Sequence, residues 1–460
     1  KGPCPKPSEG RADSPVIDDE SSNPAATVET LQTSLQAKAK AEPDLRFYSL
    51  WDKVFRKDVL QEAYRRCRAN AGAPGVDRES FARIETEGEE RWLERLREEL
   101  TAGQYAPKPL LRVWISKSNG GRRPLGIPCI SDRVVGMAAL LVVGPIFEAD
   151  LLPQQYGFRP GLDAKMALRR VFRHVTQHGR REVVDADLRD YFTSIPHSPL
   201  MRCLSRRIAD GRLLHVIKSW LTAPVVEIID GRAVQTTEAR RTKRGVPQGG
   251  VISPLAANLY FRRFLLAWHR HGHRDQLDAH VVNYADDFVI CCRPGNAEAA
   301  LVRTQALMTR LGLEVNTAKT RIARLPEDRF DFLGYTVGRF YGKDGRAYIG
   351  TRPSQKSVKS LLERIRERTT PRWHSDEPEN TVARISSMLR GWCGYFDQGP
   401  VMDIYDRIRT YTDCRVRRWL IRRTGRRGTG FRQIPDEFLY GTLGLYRVPQ
   451  RRVDLPRAKA

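Results

Sequence analysis

The sequence is short of negative charge, because its 460 residues include 54 Asp and Glu against 79 Lys and Arg, a net charge of +25. An imbalance of this size indicates a polyanionic partner, most often a nucleic acid. Residues 1–44 nevertheless carry eight acidic and five basic residues, whereas residues 351–460 carry 12 acidic and 24 basic residues. Charge alone does not distinguish an enzyme that acts on nucleic acid from a protein that coats RNA.

The eight cysteines include no C-x-x-C pair, which argues against a zinc ribbon or an HNH-type zinc site. Isolated thiols are typical of a reducing compartment, so we expect a cytoplasmic protein. The sequence has no secretory signal at its start, and its most apolar stretch, Val134 to Phe147, is too short to span a bilayer. That stretch predicts a buried helix, and the initial Lys1 in place of Met indicates N-terminal processing or trimming.

Aromatic residues are absent from residues 1–44, where Pro, Ser, Ala and acidic residues dominate. This composition predicts a disordered acidic tail. Order is expected to begin at Leu45. Two segments that follow, Phe55 to Cys67 and Glu90 to Leu100, have the apolar spacing of amphipathic helices.

Alternating apolar residues predict a β-hairpin of Leu110–Ser116 and Pro124–Ile130, joined by a turn at Asn119-Gly120. A helix is expected to follow from Asp132 to Leu152. The pattern changes again after residue 353, where the apolar spacing predicts only helices. The chain therefore divides into a mixed α/β body and a helical region rich in arginine; the helices of that region are predicted at Ser354–Arg368, Glu379–Arg390 and Met402–Arg423.

Two apolar segments with acidic ends predict buried strands. Glu182 to Leu188 forms one strand, and His280 to Cys292 forms two strands folded about Ala285-Asp286-Asp287. Between them lies a helix over Leu255–His271, with Ser253 predicted as its N-cap. If the strands are neighbours, their aspartates converge, and carboxylate oxygens are the ligands that Mg²⁺ prefers. The alternative is an ordinary polar turn at the paired aspartates.

The surrounding motifs favour the catalytic interpretation. Tyr284-Ala285-Asp286-Asp287 resembles the catalytic box of reverse transcriptases, and Val183 to Phe192 resembles their first catalytic motif. The segment from Arg244-Gly245-Val246-Pro247-Gln248-Gly249-Gly250 to Leu255 resembles the motif between them. One box of four letters is weak, but three boxes in family order and spacing are specific.

Four further blocks resemble the reverse transcriptases encoded by group II introns, also called intron maturases. Together they extend the resemblance over roughly residues 45–446. The blocks are Asn70 to Asp77 in the N-terminal extension, Arg123 to Pro128 in the fingers, Gln155 to Gly161 further along, and Gly391 to Phe396 in the thumb, often called domain X.

The resemblance implies an α+β right-hand polymerase fold. Its parts would be an N-terminal extension over 45–105, fingers over 106–180, a palm with an antiparallel sheet over 181–352, an α-helical thumb over 353–446 and a basic tail over 447–460. It implies an RNA-directed DNA polymerase with two Mg²⁺ ions and dNTP substrates, acting in the bacterial cytosol and at the nucleoid. The expected partners are a structured intron RNA, an RNA template with its DNA primer, and target DNA, with no membrane.

Carried over residue by residue, the resemblance makes Asp187 and Asp286 ligands of both metal ions, with Asp287 beside them. Strand alternation is compatible with Asp185 as well. Asp187 is favoured because the aromatic pair follows it at the family spacing, and Asp185 is expected to be a solvated or ion-paired strand acid.

Five residues are expected to contact the incoming nucleotide. Lys117 and Arg123 would reach the triphosphate from the fingers hairpin, unless they belong to a solvated face. Phe192 would exclude a ribose 2′ hydroxyl, with Tyr191 as the competing candidate. Gln248 would approach the nascent base pair, and Lys319 would donate a proton to pyrophosphate or merely contact phosphate.

The C-terminal arginines are expected to contact RNA, since Arg forks onto phosphate with two hydrogen bonds. The alternative is a solvated helix face. The RNA-binding candidates are Arg415, Arg418, Arg422, Arg423, Arg426 and Arg427, with Arg417 between them.

Only 14 residues follow Tyr446, so we expect neither a DNA-binding segment nor an endonuclease, and no nicking activity. The leading hypothesis is an intron-encoded enzyme that assists splicing and copies the intron into DNA during retrohoming. Two alternatives remain open: a domesticated relative in DNA repair, phage defence or CRISPR adaptation, and a non-enzymatic RNA-folding factor.

Overall fold

A computed structural model describes residues 23–116, 121–342, 344–373, 375–425 and 431–450, and the backbone of 458–459. The predicted turn at Asn119-Gly120 lies outside these residues. The helices are α1 Pro24–Ala41, α2 Trp51–Val54, α3 Lys57–Ala69, α4 Phe81–Glu87, α5 Glu89–Ala102, α6 Ile130–Glu148, α7 Ala164–Thr176, α8 Tyr191–Ser194, α9 His197–Ser205, α10 Gly211–Leu221, α11 Glu238–Thr242, α12 Ser253–Arg270, α13 His273–Gln276, α14 Ala297–Arg310, α15 Gln355–Arg368, α16 Pro378–Tyr395 and α17 Met402–Arg423.

Three sheets of four strands accompany these helices. The strands are β1 Leu110–Ser116, β2 Arg122–Ile127, β3 Glu182–Ala186, β4 Val225–Ile229, β5 Arg232–Thr236, β6 His280–Tyr284, β7 Asp287–Cys292, β8 Arg321–Arg324, β9 Arg329–Phe332, β10 Tyr335–Tyr341, β11 Ala347–Pro353 and β12 Ala458–Lys459.

The first helix corrects the prediction of a disordered tail over residues 1–44. Asn23 caps α1 by accepting a hydrogen bond from the Ala25 N–H, and Pro24 occupies its first turn. Val28, Leu35 and Ala39 fall on one helical face and are buried. The disorder prediction failed because overall composition hides an apolar stripe of this kind. Residues 1–22 lie outside the described part of the chain.

Helix α6 is the core of the N-terminal layer and contacts α1, α2 and α3. By length and composition it resembles a membrane span, but most of its residues are buried inside the protein. The predicted buried helix is therefore confirmed, although it runs from Ile130 to Glu148 instead of from Asp132 to Leu152.

The first sheet has the order β2-β1-β4-β5. The predicted hairpin of β1 and β2 is confirmed, with Val113 opposite Leu125, although its second strand is Arg122–Ile127 instead of Pro124–Ile130. Strands β4 and β5 were not predicted, although Val225 to Ile229 is a β-branched run followed by Asp230-Gly231, a strong hairpin turn. Strand β4 pairs in parallel with β1, which joins this second hairpin to the first.

The central sheet has the order β6-β7-β3-β8 and is antiparallel throughout. Helix α12 covers one face, where Phe261 and Phe264 contact Phe288 of β7 at ring distances of 5.2 and 5.8 Å. Alternation along β7 turns Asp287 to the opposite face. The predicted N-cap at Ser253 is wrong, because the helix begins at this residue and Ile252 precedes it without a side-chain cap.

The third sheet, β12-β11-β10-β9, supports the C-terminal helices. Leu333 and Gly334 form the turn between β9 and β10, both with positive φ, of 52° and 78°. Helix α15 contacts both α16 and α17. The predicted helix Met402–Arg423 has the observed bounds, whereas α16 extends to Tyr395, beyond the predicted Arg390.

A buried carboxylate joins the first sheet to the rest of the chain. Asp132 of α6 accepts hydrogen bonds from the Tyr105 hydroxyl at 2.7 Å and from the Lys108 N–H at 3.1 Å. Trp220 donates to the same tyrosine hydroxyl at 2.9 Å. Burial raises the pKa of Asp132 to about 6, although these donors lower it.

This pKa leads to a stability prediction. The folded chain holds the Asp132 proton more tightly than the unfolded chain, so its contribution to stability falls as pH rises from about 4 to about 6. The free energy of unfolding of Asp132→Asn, taken relative to that of the parent, should therefore increase by up to about 3 kcal/mol between pH 4 and pH 7. Urea unfolding of both proteins at the two pH values measures this gain, and an unchanged difference between them would contradict the prediction.

Candidate active site

The paired aspartates lie at the tight turn of a hairpin, Asp286 within the turn and Asp287 directly after it. Tyr284 pairs with Asp287, so Ala285 and Asp286 form a two-residue turn between β6 and β7. Ala285 has a φ of 59°, a left-handed conformation that costs about 1 kcal/mol for a residue other than glycine. Asn283 holds the turn by donating from its side-chain amide to the Ala285 carbonyl at 2.8 Å.

A second segment supports this turn from behind. The Tyr156 N–H donates to the Asn283 carbonyl at 2.9 Å, and Asn258 of α12 donates to the Gly157 carbonyl at 2.7 Å. A Cβ at Gly157 would overlap the backbone nitrogen of Ala285. The sequence predicted no structural role for Gln155 to Gly161 beyond the family block, and it gave no sign of Asn258 and Asn283. The available signal was a single polar residue within an apolar run, since Asn258 follows Ala257 in α12 and Asn283 follows Val282 in β6.

Asp187 lies where the resemblance places it, directly after β3. Ala186 pairs with Phe288, which brings Asp187 opposite Asp287 on the neighbouring strand. The Asp187 carboxylate accepts a hydrogen bond from the Asn316 side chain at 3.1 Å and forms an ion pair with Lys319 at 3.3 Å. Lys319 is thus in the site, and its expected contact with phosphate or pyrophosphate stays a prediction.

Asp287 carries the clearest electrostatic sign of a carboxylate cluster. Its side chain is open to the cleft but stands at the base of a concave surface, and this desolvation raises its pKa to about 6. The nearby carboxylates of Asp286, Asp187 and Asp185 raise the pKa further, whereas Arg123 lowers it. The site therefore holds more negative charge than its neighbours neutralise.

Asp185 was expected to be a solvated or ion-paired strand acid, and the structure shows it in an ion pair. Its carboxylate lies 3.3 Å from the Arg321 guanidinium on β8. Burial raises the pKa of Asp185, and Arg321 opposes that shift.

The donor set of Asp187, Asp286 and Asp287 suits a hard cation, because all three groups supply carboxylate oxygens. Within the described residues, no three acidic, His or Cys side chains are gathered closely enough to enclose one ion. Asp187 is instead turned to Lys319 and Asn316. The chemistry of the donor set nevertheless fits Mg²⁺, and Asp187, Asp286 and Asp287 are the residues that would hold it.

The carboxylates face a cleft of about 520 Å³. Its floor includes Asp187 and Asp287, and one wall is the β9–β10 turn. Helix α15 provides the opposite wall with exposed Lys356 and Arg364. The basic wall suits the phosphates of a nucleic acid, and the acidic floor suits cations at the end of that nucleic acid.

The first sheet meets the palm side of this cleft through a glycine. The Gly126 N–H of β2 donates to the Gln248 carbonyl at 2.7 Å, and a Cβ at Gly249 would overlap the Gly126 carbonyl. The Gln248 side-chain oxygen is buried without a hydrogen bond to the described residues. Arg123 is exposed on β2 and acts electrostatically on Asp287, whereas Lys117 lies outside the described residues.

The structure separates the two aromatic candidates. Tyr191 is 3 % exposed, and its hydroxyl donates to the Ala257 carbonyl at 2.7 Å, so this ring belongs to the core. Phe192 is half-buried and edge-on to Tyr191 at 5.8 Å. Phe192 is therefore the aromatic residue still available for contact with a sugar.

The thumb arginines divide into two groups. Arg415 donates to the Thr369 hydroxyl at the end of α15, and Arg423 donates to the Asp376 carbonyl. Arg417 is 1 % exposed and pairs with Asp436, so it is a core residue. These three side chains make contacts inside the protein, so Arg418 and Arg422 remain as the exposed candidates for RNA binding. Arg426 and Arg427 lie outside the described residues.

These features define a polymerase of the right-hand class. The four-stranded antiparallel sheet is backed by helices and carries the carboxylates at its centre, and a basic helix forms one wall of the cleft. Two family models sharpen this assignment. Residues 115–337 match the reverse transcriptase (RNA-dependent DNA polymerase) family, and residues 358–434 match the maturase-specific domain of group II introns. The chain belongs to the group II intron reverse transcriptases, and the predicted α+β right-hand fold and polymerase class are confirmed.

Curated relatives agree with this family. Protein YkfC of Escherichia coli is 33 % identical over 74 % of this chain and 97 % of its own length. The group II intron-encoded protein LtrA of Lactococcus lactis is 29 % identical over 46 % of this chain and 34 % of its own. An uncharacterized 91 kDa protein in the cob intron of Schizosaccharomyces pombe is 23 % identical over 75 % and 50 %. The matches therefore span nearly all of the first relative and half or less of the other two.

Proposed function

We propose that this reverse transcriptase extends a DNA primer on an RNA template with dNTPs, and that Asp187, Asp286 and Asp287 hold two Mg²⁺ ions for the reaction. The observation that carries the proposal is the placement of the three carboxylates: the pairing of Ala186 with Phe288 sets Asp187 opposite Asp287, and Asp286 precedes Asp287 in the β6–β7 turn. When bound, the ions would activate the primer hydroxyl and neutralise the triphosphate.

The other residues of the cleft position the substrates. The exposed Lys356 and Arg364 of α15 bind phosphates of the template–primer duplex, whose 3′ end points to the aspartates. Arg123 lies on the fingers side, where it neutralises the triphosphate together with Lys117. Phe192 contacts the sugar, Gln248 lies beside the nascent base pair, and Lys319 exchanges its partner Asp187 for a phosphate oxygen.

We further propose that the chain copies a group II intron RNA into DNA at a target site and assists splicing by binding that RNA. The maturase-specific domain over 358–434 supports this role. Arg418 and Arg422 are exposed one turn apart on α17, a spacing that suits neighbouring phosphates.

Primer extension on an RNA template tests the polymerase proposal. The parent is compared with Asp286→Asn/Asp287→Asn, which keeps the size of both side chains and removes their charge. We expect extension with dNTPs and Mg²⁺ by the parent and a loss of at least about 1,000-fold in the variant.

Thermal unfolding and filter binding of the RNA template are the controls. The variant should remain folded and should bind the template as the parent does. Extension by the variant at the parent's rate would place the metal site elsewhere. If the well-folded parent binds RNA tightly but extends no primer, the chain is a splicing factor without polymerase activity.

A further inference from the structure

A second charged concavity lies behind the catalytic sheet, between α9 and α12. Arginines from two helices line its walls. Arg202 on α9 and Arg206 just after that helix are one turn apart. Helix α12 contributes the consecutive Arg262 and Arg263, and Arg270 two turns later on the same face. We call this concavity the α9–α12 groove; it encloses about 440 Å³, a volume typical of sites for small molecules.

The positive charge of the groove is not neutralised by the protein. Asp150 is the one acid among its described lining residues, and that carboxylate already pairs with Arg207 at 3.5 Å. Arg202, Arg206 and Arg270 are exposed and form no ion pair within the described part of the chain. Burial lowers the pKa of Arg262, Asp150 opposes this shift, and the neighbouring Arg206 adds to it. Arginines held close together in a concave site repel one another, so the binding of an anion between them is favourable.

The floor of the groove is apolar. Leu259, Leu266 and Ala267 of α12 line it together with Phe147 from the end of α6. Free phosphate needs only the charged rim, so the floor indicates a ligand with a flat or apolar body as well. A nucleotide combines a base with one or more phosphates.

The groove is separate from the catalytic cleft. The inner face of α12 carries Phe261, which contacts Phe288 of the central sheet, and Asp287 lies on the far side of that sheet. The helix and the sheet therefore stand between the groove and the carboxylates. A ligand in the groove does not occupy the place of the incoming dNTP.

We propose that the α9–α12 groove binds a nucleotide, with its phosphates on the arginines of both walls and its base on the apolar floor. The ligand is a free nucleotide or an unpaired nucleotide of a bound RNA, since both present the same chemistry. The site is independent of the polymerase reaction, and with RNA as its source it adds a second anchor to the proposed binding of intron RNA.

Cys203 is a reporter inside the groove, because it lies on α9 between Arg202 and Arg206 and is partly exposed. Cys414 on α17 is exposed to a similar degree and serves as an internal control. The rate of alkylation by N-ethylmaleimide at each cysteine is followed by mass spectrometry, with EDTA present to prevent metal-dependent binding in the cleft. The probes are ATP, pyrophosphate and a ten-nucleotide oligo(A) RNA.

We expect ATP or oligo(A) to slow alkylation of Cys203 at least fivefold. The rate at Cys414 should stay unchanged with ATP; it is not the control for oligo(A), because Cys414 is one turn from the proposed RNA contact Arg418. Protection by ATP identifies a free nucleotide as a ligand, and protection by oligo(A) alone identifies RNA as the source. In Arg202→Ala/Arg206→Ala the concentration for half-protection should rise at least tenfold. Arg274→Ala, which removes an exposed arginine outside the groove, should behave as the parent does.

Two measurements keep the test independent of folding and of the polymerase proposal. Primer extension should survive in the Arg202→Ala/Arg206→Ala variant, and Cys203 protection should survive in Asp286→Asn/Asp287→Asn. The proposal is overturned if no probe protects Cys203 in the parent. It is also overturned if pyrophosphate protects at the same concentration as ATP, since that result describes an anion site without a base.

Discussion

Asp187→Asn is expected to reduce primer extension about 1,000-fold, whereas Asp185→Asn should stay within about tenfold of the parent. The two aspartates are two positions apart at the end of one strand, and both face the cleft. Asp187 stands opposite Asp287, where a metal ion would lie. The Asp185 carboxylate forms an ion pair with Arg321 on β8 at 3.3 Å. The pair therefore compares a proposed ligand with a structural acid in the same environment.

The comparison is made from kcat/KM for dNTP at saturating Mg²⁺, with template–primer binding measured separately. Equal binding with unequal extension is the expected pattern, since Asn preserves size and removes only charge. Thermal unfolding controls for the loss of the ion pair of Asp185. A loss of 1,000-fold at Asp185 with normal activity at Asp187 would reverse the assignment.

Gly157→Ala is expected to reduce extension about 100-fold, the cost of displacing reacting groups by about 1 Å. A methyl group at this position overlaps the backbone of Ala285, so the turn that contains Asp286 and leads into Asp287 must move. The Asn258 hydrogen bond to the Gly157 carbonyl keeps the supporting segment in place and prevents it from yielding instead. Kinetics at several Mg²⁺ concentrations measure the effect, which should include weaker use of metal.

Gly161→Ala is the matched control in the same segment. Nothing lies within 4 Å of a Cβ added there, so alanine meets only the strain of a φ of 72°, about 1 kcal/mol. We expect slightly lower stability and unchanged kinetics. Parental activity in Gly157→Ala would mean that the turn adapts, and the proposed support from behind would be wrong.

Strong local patterns allowed the central elements to be predicted. The alternation of β1 and the periodicity of α17 gave their observed bounds, and the acids at strand ends marked the candidate site. Helix α1 was missed because Val28, Leu35 and Ala39 form a sparse stripe within a polar segment. Its stability comes from packing on α6, which no local pattern contains.

The roles of individual side chains were harder to predict than the elements that carry them. Arg417 and Arg418 are neighbours in a basic run, yet one is buried beside Asp436 and the other is exposed. Helical phase separates them only once the packed face is known. In the same way, the sequence favoured Asp187 over Asp185 by resemblance, whereas the structure adds the Arg321 ion pair, which depends on the pairing of β3 with β8.

The position of β3 in its sheet also sets the order in which a newly made chain acquires its catalytic floor. Both neighbours of β3 are encoded much later, since Val183 pairs with Cys291 on one side and with Ala323 on the other. At a translation rate of about 5–20 residues per second, the strand must wait roughly 7–28 s for its second partner. The backbone N–H and C=O groups along both edges of β3 are unpaired during that interval, whereas α1, α3 and α6 can already pack against one another. Chaperone dependence should therefore concentrate in the stretch of synthesis between β3 and β8, and the enzyme gains its active site only after most of it has left the ribosome.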